Sequence, residues 1–323
     1  MNRLIRPLQK KPGSPQEGGP DDVRESYNQM SCLIHNTVGT PMKTKTLVPF
    51  LALSFGLTWG IAALLILFAD PIAAVFGEID RSNPLIILAV YAPGLAGVLL
   101  VWRHYGLEGL GSFFKRLTLW RAPVRWWLFL ILGVPAVVFT GAAIKGSIGD
   151  PFPFSPWYQV LSALALALFL GPIEEFGWRG LALPLLQRRF APFWAGLILG
   201  IICALWHIPA LLMSGMPQSS WSVAPYFLGI VAIYVILTPF FNAARGSLLV
   251  AVLYHFQMMN PLFPDAQPWD NILWIAVAVI VVWLNRGKMF RRGEGAKEVL
   301  MSEEENAPAA TRYPQADFGM SEV

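Results

Sequence analysis

Two adjacent carboxylates, Glu174 and Glu175, a guanidinium at Arg179 and two imidazoles, His207 and His255, are the side chains of this chain most suited to chemistry. All five sit inside long apolar stretches. An ionisable group placed in hydrocarbon costs on the order of 2.5–3.5 kcal/mol on insertion scales, so each is a candidate for function. Of the twenty Asp and Glu, only Glu174 and Glu175 lie within such a stretch away from its ends, and His35 and His104 lie in polar segments. A carboxylate beside imidazoles can take a proton from water, hold that water and stabilise a developing oxyanion. Glu174, His207 and His255 are also the ligand types of a His₂Glu zinc site with an open position. No HExxH or other contiguous zinc signature occurs, so both a metal-free and a metal-dependent chemistry stay open. Glu175 and Arg179, spaced i, i+4, share one helix face and can pair. That spacing reserves them for support and leaves Glu174 as the reactive carboxylate. Each group also has a purely structural reading, since an ion pair can merely join helices and a buried histidine can merely complete a hydrogen bond.

The elements that carry these residues belong in a membrane. The 323 residues are 55% hydrophobic and 14% charged, against about 25% charged in soluble domains, and the mean hydropathy is +0.52. This balance excludes a disordered chain, a disulfide scaffold built on Cys32 and Cys203, and a nucleic-acid binder. A bilayer core needs about 20 apolar residues per helix. Eight stretches answer to that requirement, at 47–69, 84–102, 126–144, 158–186, 192–213, 224–241, 246–263 and 270–285. They predict an all-α polytopic membrane protein with its site in a polar cavity between helices four, five and seven. Residues 1–46 read as a disordered cytosolic tail, 47–285 as the transmembrane domain and 286–323 as a second polar cytosolic tail.

Charge placement supports the count. With the N-terminus inside, 21 of the 24 Lys and Arg fall on the tails and the loops of the cytoplasmic side; only Arg81 and Lys145 fall outside. That distribution follows the positive-inside rule with both termini cytoplasmic. Spans four and five form a helical hairpin turning near Arg189–Ala191. Glu174 and His207 stand equally far from that turn, about 24 Å along their helices at 1.5 Å per residue. The hairpin therefore brings them to one depth, and His255 sits midway along span seven. Gly171, Pro172, Gly177, Gly180 and Pro184 interrupt span four, a pattern tolerated at depth where backbone lines a polar cavity.

Glu174-Glu175-Phe176-Gly177-Trp178-Arg179 is an EExxxR motif, followed by Leu205-Trp206-His207-Ile208-Pro209 and, after Arg245-Gly246-Ser247, by Leu253-Tyr254-His255. In this order, on these spans, the motif core 158–263 resembles the CPBP family of CAAX-type prenyl endopeptidases and bacteriocin-processing proteins, also called Abi. Two departures stand out. The family's FxxxH has Cys203 at the Phe position, a packing place, and its HxxxN has Met259 where the amide should be, with Asn260 one residue later. One residue turns a helix by about 100°, so Asn260 reaches the site only through a π-bulge, or Gln257 replaces it.

The resemblance implies hydrolysis of a peptide bond inside the membrane. Glu174 would be the general base, His207 would hold the water, and His255 with Asn260 would donate to the oxyanion, a contribution of about 3 kcal/mol. Glu175 and Arg179 would support them. The cofactor stays open: a glutamate-activated water needs none, and a divalent metal such as zinc on Glu174, His207 and His255 is the metal-dependent variant. The partners are membrane lipid and a peptide or protein substrate, prenylated or otherwise membrane-anchored, with no nucleic acid. The competing readings are an inactive scaffold or immunity protein of the same fold and a small transporter.

Overall fold

The computed structural model describes residues 40–301, and the helices belong to the unit that begins at Met42. All regular structure among the described residues is helical. Seven helices among the described residues are long and apolar enough to cross a membrane: α1 Thr44–Leu67, α2 Pro84–Thr118, α3 Val124–Lys145, α4 Gln159–Gln187, α5 Pro192–Leu212, α6 Val223–Ala243 and, numbered last in the chain, α8 Trp269–Met289. The segment read as span seven folds differently. Its helix, α7, covers only Leu248–Met258, about 16 Å at 1.5 Å per residue, too short to cross alone. From Met259 the chain runs on without helix to Pro268. Its far end is tied to the end of α3, where Lys145 Nζ meets Asp265 Oδ2 at 2.6 Å and Ser147 Oγ donates to the Asp265 carbonyl.

The long helices carry large apolar side chains outward, among them Leu53, Leu132, Phe139 and Trp283, as segments facing lipid must. Inside, α1 packs on α2, α5 on α6, and α6 on α8. Small residues allow a close approach of α2 to α4. A Cβ on Gly97 would stand 2.8 Å from Gly177 Cα, and one on Gly177 would overlap the Pro93 carbonyl of α2 and stand 2.9 Å from Phe50 Cε2 of α1. In lipid, where no apolar driving force separates helix from solvent, such backbone contacts supply the packing energy.

Prolines inside the helices leave backbone carbonyls without their amide partners, and polar side chains of neighbouring helices take those carbonyls. Pro93 in α2 has no amide hydrogen for the carbonyl of Ala89; Thr58 Oγ1 of α1 donates there at 2.7 Å. Pro184 likewise cannot serve the carbonyl of Gly180. That oxygen accepts from Arg116 NH1 at 2.8 Å. Arg116, almost fully buried, also donates to the carbonyls of Gly246 and Val299, so one guanidinium joins α2, α4, the α6–α7 turn and the segment after α8.

Two boundaries read from the sequence shift. The helix α8 continues to Met289, and residues 290–301 pack against the protein: Gln187 Nε2 donates to the Ala296 carbonyl, Arg188 Nε to that of Lys297, and Val299 is buried. At the other end Met42 is buried, its amide bonded to Tyr105 Oη at 2.7 Å. The expected disorder of the outer parts of both tails concerns residues outside those described.

A buried carbonyl left without a donor costs about 1–3 kcal/mol, and Arg116 serves three. Arg116→Met should therefore lower the stability of the detergent-solubilised protein by about 3 kcal/mol or more, read as a fall in the thermal midpoint of tryptophan fluorescence. An unchanged midpoint would remove Arg116 from this role.

Candidate active site

The site begins where α4 breaks. After Phe169 the chain makes a 3-10 turn over Pro172–Glu174, one α-helical turn over Glu175–Gly177 and a π-helix over Trp178–Ala182 before regular helix resumes at Leu183. The glycines and prolines that mark span four in the sequence thus act together: the wider turn rotates Glu174, Glu175 and Arg179 relative to a straight helix. A π-turn inside an α-helix is frequent at functional sites.

Glu175 is the hub. Its Oε1 accepts from Arg179 NH1 at 2.8 Å and meets His255 Nδ1 at 2.7 Å. It is 1% exposed, and Arg179 is 2% exposed. The Arg179 guanidinium also lies over the Tyr234 ring, 3.5 Å from its centroid, so α4, α6 and α7 meet at this pair. The pairing read from the i, i+4 spacing is present; its third member, His255, was assigned beside Glu174 and is bound to Glu175 instead.

Glu174 is 4% exposed and accepts from Trp178 Nε1 at 3.3 Å. It faces α5, where Pro209 ends the first helical run. His207 takes the break, with its amide and its Nδ1 both directed at the Cys203 carbonyl, at 3.1 and 2.9 Å. A carbonyl only accepts, so Nδ1 carries the proton and Nε2 is the free ring nitrogen in the neutral form. The ring stands edge-on to Trp206 and Tyr226. Trp206 is itself held: its Nε1 donates to Thr58 Oγ1 at 2.9 Å, and its carbonyl accepts from Trp59 Nε1. Glu174, Cys203 and His207 bring a carboxylate oxygen, the sulfur and a ring nitrogen within 4.8 Å of one another. The hairpin geometry expected from the sequence is therefore present, with Glu174 and His207 at one depth.

These groups line a cavity of about 300 Å³. Its polar lining also includes Tyr226, Tyr234, Tyr254, Asp270 and Asn271, none of which was singled out in the sequence. Tyrosines in apolar helices pass for packing residues, and Asp270 stands at the edge of its span. Cys203 was read as a packing substitution. Its Sγ lines the cavity and accepts from Tyr234 Oη at 2.8 Å. Only its place four residues before His207 could have shown that the two share a helix face.

Asn260 is not brought to the cluster. The helix ends at Met258 and carries no π-bulge there. Asn260 Nδ2 donates to Gln257 Oε1 at 2.9 Å, and its Oδ1 accepts from the Leu262 amide at 3.0 Å, so the side chain closes a turn. Gln257 does not replace it, since its Nε2 donates to the Leu130 carbonyl. Met259 lines the cavity in that place.

With this geometry established, two comparisons bear on it. Residues 156–259 match the Rce1-like family, type II CAAX prenyl endopeptidases. The matched segment holds Glu174, Glu175, Arg179, Cys203, His207 and His255 and stops one residue before Asn260. A curated relative, CAAX prenyl protease 2 of Methanococcus maripaludis, is 31% identical over 168 residues. That alignment covers 48% of this chain and 60% of the relative, so the chain spans less than two thirds of its length. The family resemblance read from the motifs is borne out over the Rce1-like core, within an all-helical integral membrane protein.

Gly171 sets the clearance around His255. A Cβ there would lie 2.7 Å from His255 Nε2 and would overlap Met259 Sδ. Gly171→Ala should displace the His255 ring while leaving His207, held by Cys203, in place. Nitrogen-15 NMR of the histidine rings checks this: the His255 resonances move and the His207 resonances stay. If neither moves, Gly171 does not set that clearance.

Proposed function

We propose that this chain is an intramembrane endopeptidase of the CAAX type, hydrolysing a peptide bond of a membrane-anchored peptide or protein with a water activated by Glu174. The observation that carries the proposal is the meeting of Glu174 and His207 from two helices in one largely apolar cavity, within the Rce1-like segment. Glu174 takes the proton of the attacking water and later passes it to the leaving amine. His207, with Nδ1 donating to the Cys203 carbonyl, uses Nε2 to accept from and orient the same water. His255 donates Nε2–H to the oxyanion. Its ring is then protonated on both nitrogens, and the charges of Glu174, Glu175, Arg179 and His255 sum to zero. A neutral cluster is what an apolar surrounding tolerates. Glu175 and Arg179 hold His255 and touch no reacting atom. Asn260 has no part in this scheme.

A metal is the remaining question of mechanism. Glu174, Cys203 and His207 offer a carboxylate, a thiol and an imidazole, donors that fit zinc, and this set differs from the Glu174, His207 and His255 expected from sequence. A divalent ion held there would polarise the water as a Lewis acid. We favour the metal-free route, because Glu174 as base and His207 as water holder need no further group.

Glu174→Gln should lower cleavage by about 10²–10⁴-fold, the usual contribution of a general base, and His207→Ala should do likewise, whereas Asn260→Ala should leave the rate little changed. The readout is comparative proteomics of membranes carrying wild type and each variant. If Glu174→Gln leaves every cleavage intact, the endopeptidase reading fails. Metal analysis of the purified protein, with cleavage measured after chelation, tests the second point. Stoichiometric zinc whose removal abolishes cleavage would replace the metal-free route.

A further inference from the structure

Away from the cavity, α5, α6 and α8 leave a groove of about 580 Å³ between them. It shares no lining residue with the cavity. Val231 and Val235 of α6 and Ile275, Val279 and Val282 of α8 form its walls, and Arg286 is the one lining residue that is not apolar. Val279 is 66% exposed and Trp283 62%, so the groove lies on the surface that faces lipid. Its α8 positions recur at helical spacing. The stripe from Ile275 to Arg286 is therefore about 16 Å long at 1.5 Å per residue, close to half of the roughly 30 Å hydrocarbon core. An apolar stripe as deep as one leaflet thus ends on a cation.

That cation is held in place. Arg286 NH1 donates to the Trp283 carbonyl at 2.8 Å, and the guanidinium lies over the Trp283 ring, 5.1 Å from its centroid. A guanidinium so fixed keeps further N–H donors in a planar fork that matches phosphate oxygens. More positive charge surrounds it. Lys288, Arg291 and Arg292 follow on the chain, all exposed, and Glu294 is the one acidic residue between Asn285 and Lys297. The Phe193 and Phe290 rings, both lining the groove, meet at 4.8 Å. Their contact brings the α4–α5 turn, with exposed Arg189, beside the end of α8.

We infer that this groove binds an anionic phospholipid, with an acyl chain along the α8 stripe and the phosphate on the Arg286 guanidinium. The charge decides the occupant. A zwitterionic headgroup brings a phosphate but no net charge to answer several cations, whereas each Lys or Arg near the surface adds to the attraction of an anionic lipid. A second copy of this chain, inserted in the same sense, would set its own Arg286, Arg291 and Arg292 at the same depth, like charge against like. The lipid also bears on the site at a distance. Val231 and Val235 face the groove from α6, while Tyr234 of the same helix lines the cavity and carries Arg179. Because the lipid binds the folded bundle, it raises the stability of these helices by mass action.

The test uses the full chain in detergent, titrated with phosphatidylglycerol or with phosphatidylcholine of the same acyl chains. Native mass spectrometry reads the affinity of the first lipid bound, and tryptophan fluorescence reads the thermal midpoint. Phosphatidylglycerol should bind at least about five-fold more tightly than phosphatidylcholine and raise the midpoint. Arg286→Gln should weaken phosphatidylglycerol by about five-fold, the worth of one surface cation, and leave phosphatidylcholine unchanged. Val279→Trp, which fills the groove from an exposed position, should weaken both lipids. Equal affinity of the two lipids for the unaltered protein overturns the inference, as does an Arg286→Gln or Val279→Trp variant that binds phosphatidylglycerol undiminished. So does a disulfide-linked dimer formed in membranes by Val279→Cys in a Cys32→Ser chain, since a second copy would then hold the groove.

Discussion

A backbone carbonyl in the interior of a membrane protein finds no water, so every break in a helix must be matched by a donor from elsewhere. The site depends on such a break. Helix α4 turns through 3-10, α and π geometry within a dozen residues, and Pro184 withholds the amide that the Gly180 carbonyl would use. Arg116 supplies it from α2. The same solution recurs at Pro93, where Thr58 serves the Ala89 carbonyl and then holds Trp206 beside His207. The polar groups that look incidental in the core are the ones that let the helices carrying the site depart from regularity.

Around that break, one carboxylate organises the charges. Glu175 binds Arg179 and His255 through a single oxygen, which neutralises it and fixes α7 against α4. Glu174, one residue earlier on a different turn, is left with only a 3.3 Å contact to Trp178 among its side-chain hydrogen bonds. Two adjacent glutamates therefore have different surroundings: one is committed to structure and the other is open to the cavity. The shortness of α7 follows the same logic, since its helix ends a turn after His255 and the unwound chain beyond it brings Met259 to the cavity wall.

Much of this was legible in the sequence. Intramembrane ionisable residues are few, and their cost makes each conspicuous; Glu174, Glu175, Arg179, His207 and His255 all prove to line one cavity. The depth match of Glu174 and His207 needed only a short turn and antiparallel helices. Asn260 was less tractable, because its reach depended on whether α7 continued past Met258, and helix ends are governed by local turn bonds that composition does not reveal. Cys203 and the cavity tyrosines were passed over because apolar and half-polar side chains have the same signature in a membrane helix whether they face lipid, core or cavity.

The sequence by itself determined the class of protein, most of its long apolar helices and the ionisable groups able to do chemistry, since these follow from hydropathy, length and the cost of burying charge, all additive along the chain. The tertiary structure alone decided which glutamate His255 joins, that Cys203 stands within 4.8 Å of Glu174 and His207, and that Asn260 closes a turn of its own and stays out of the cluster. Those outcomes depend on the rotation of one helix against another, which a π-turn changes by tens of degrees without leaving a unique mark in the residues that make it.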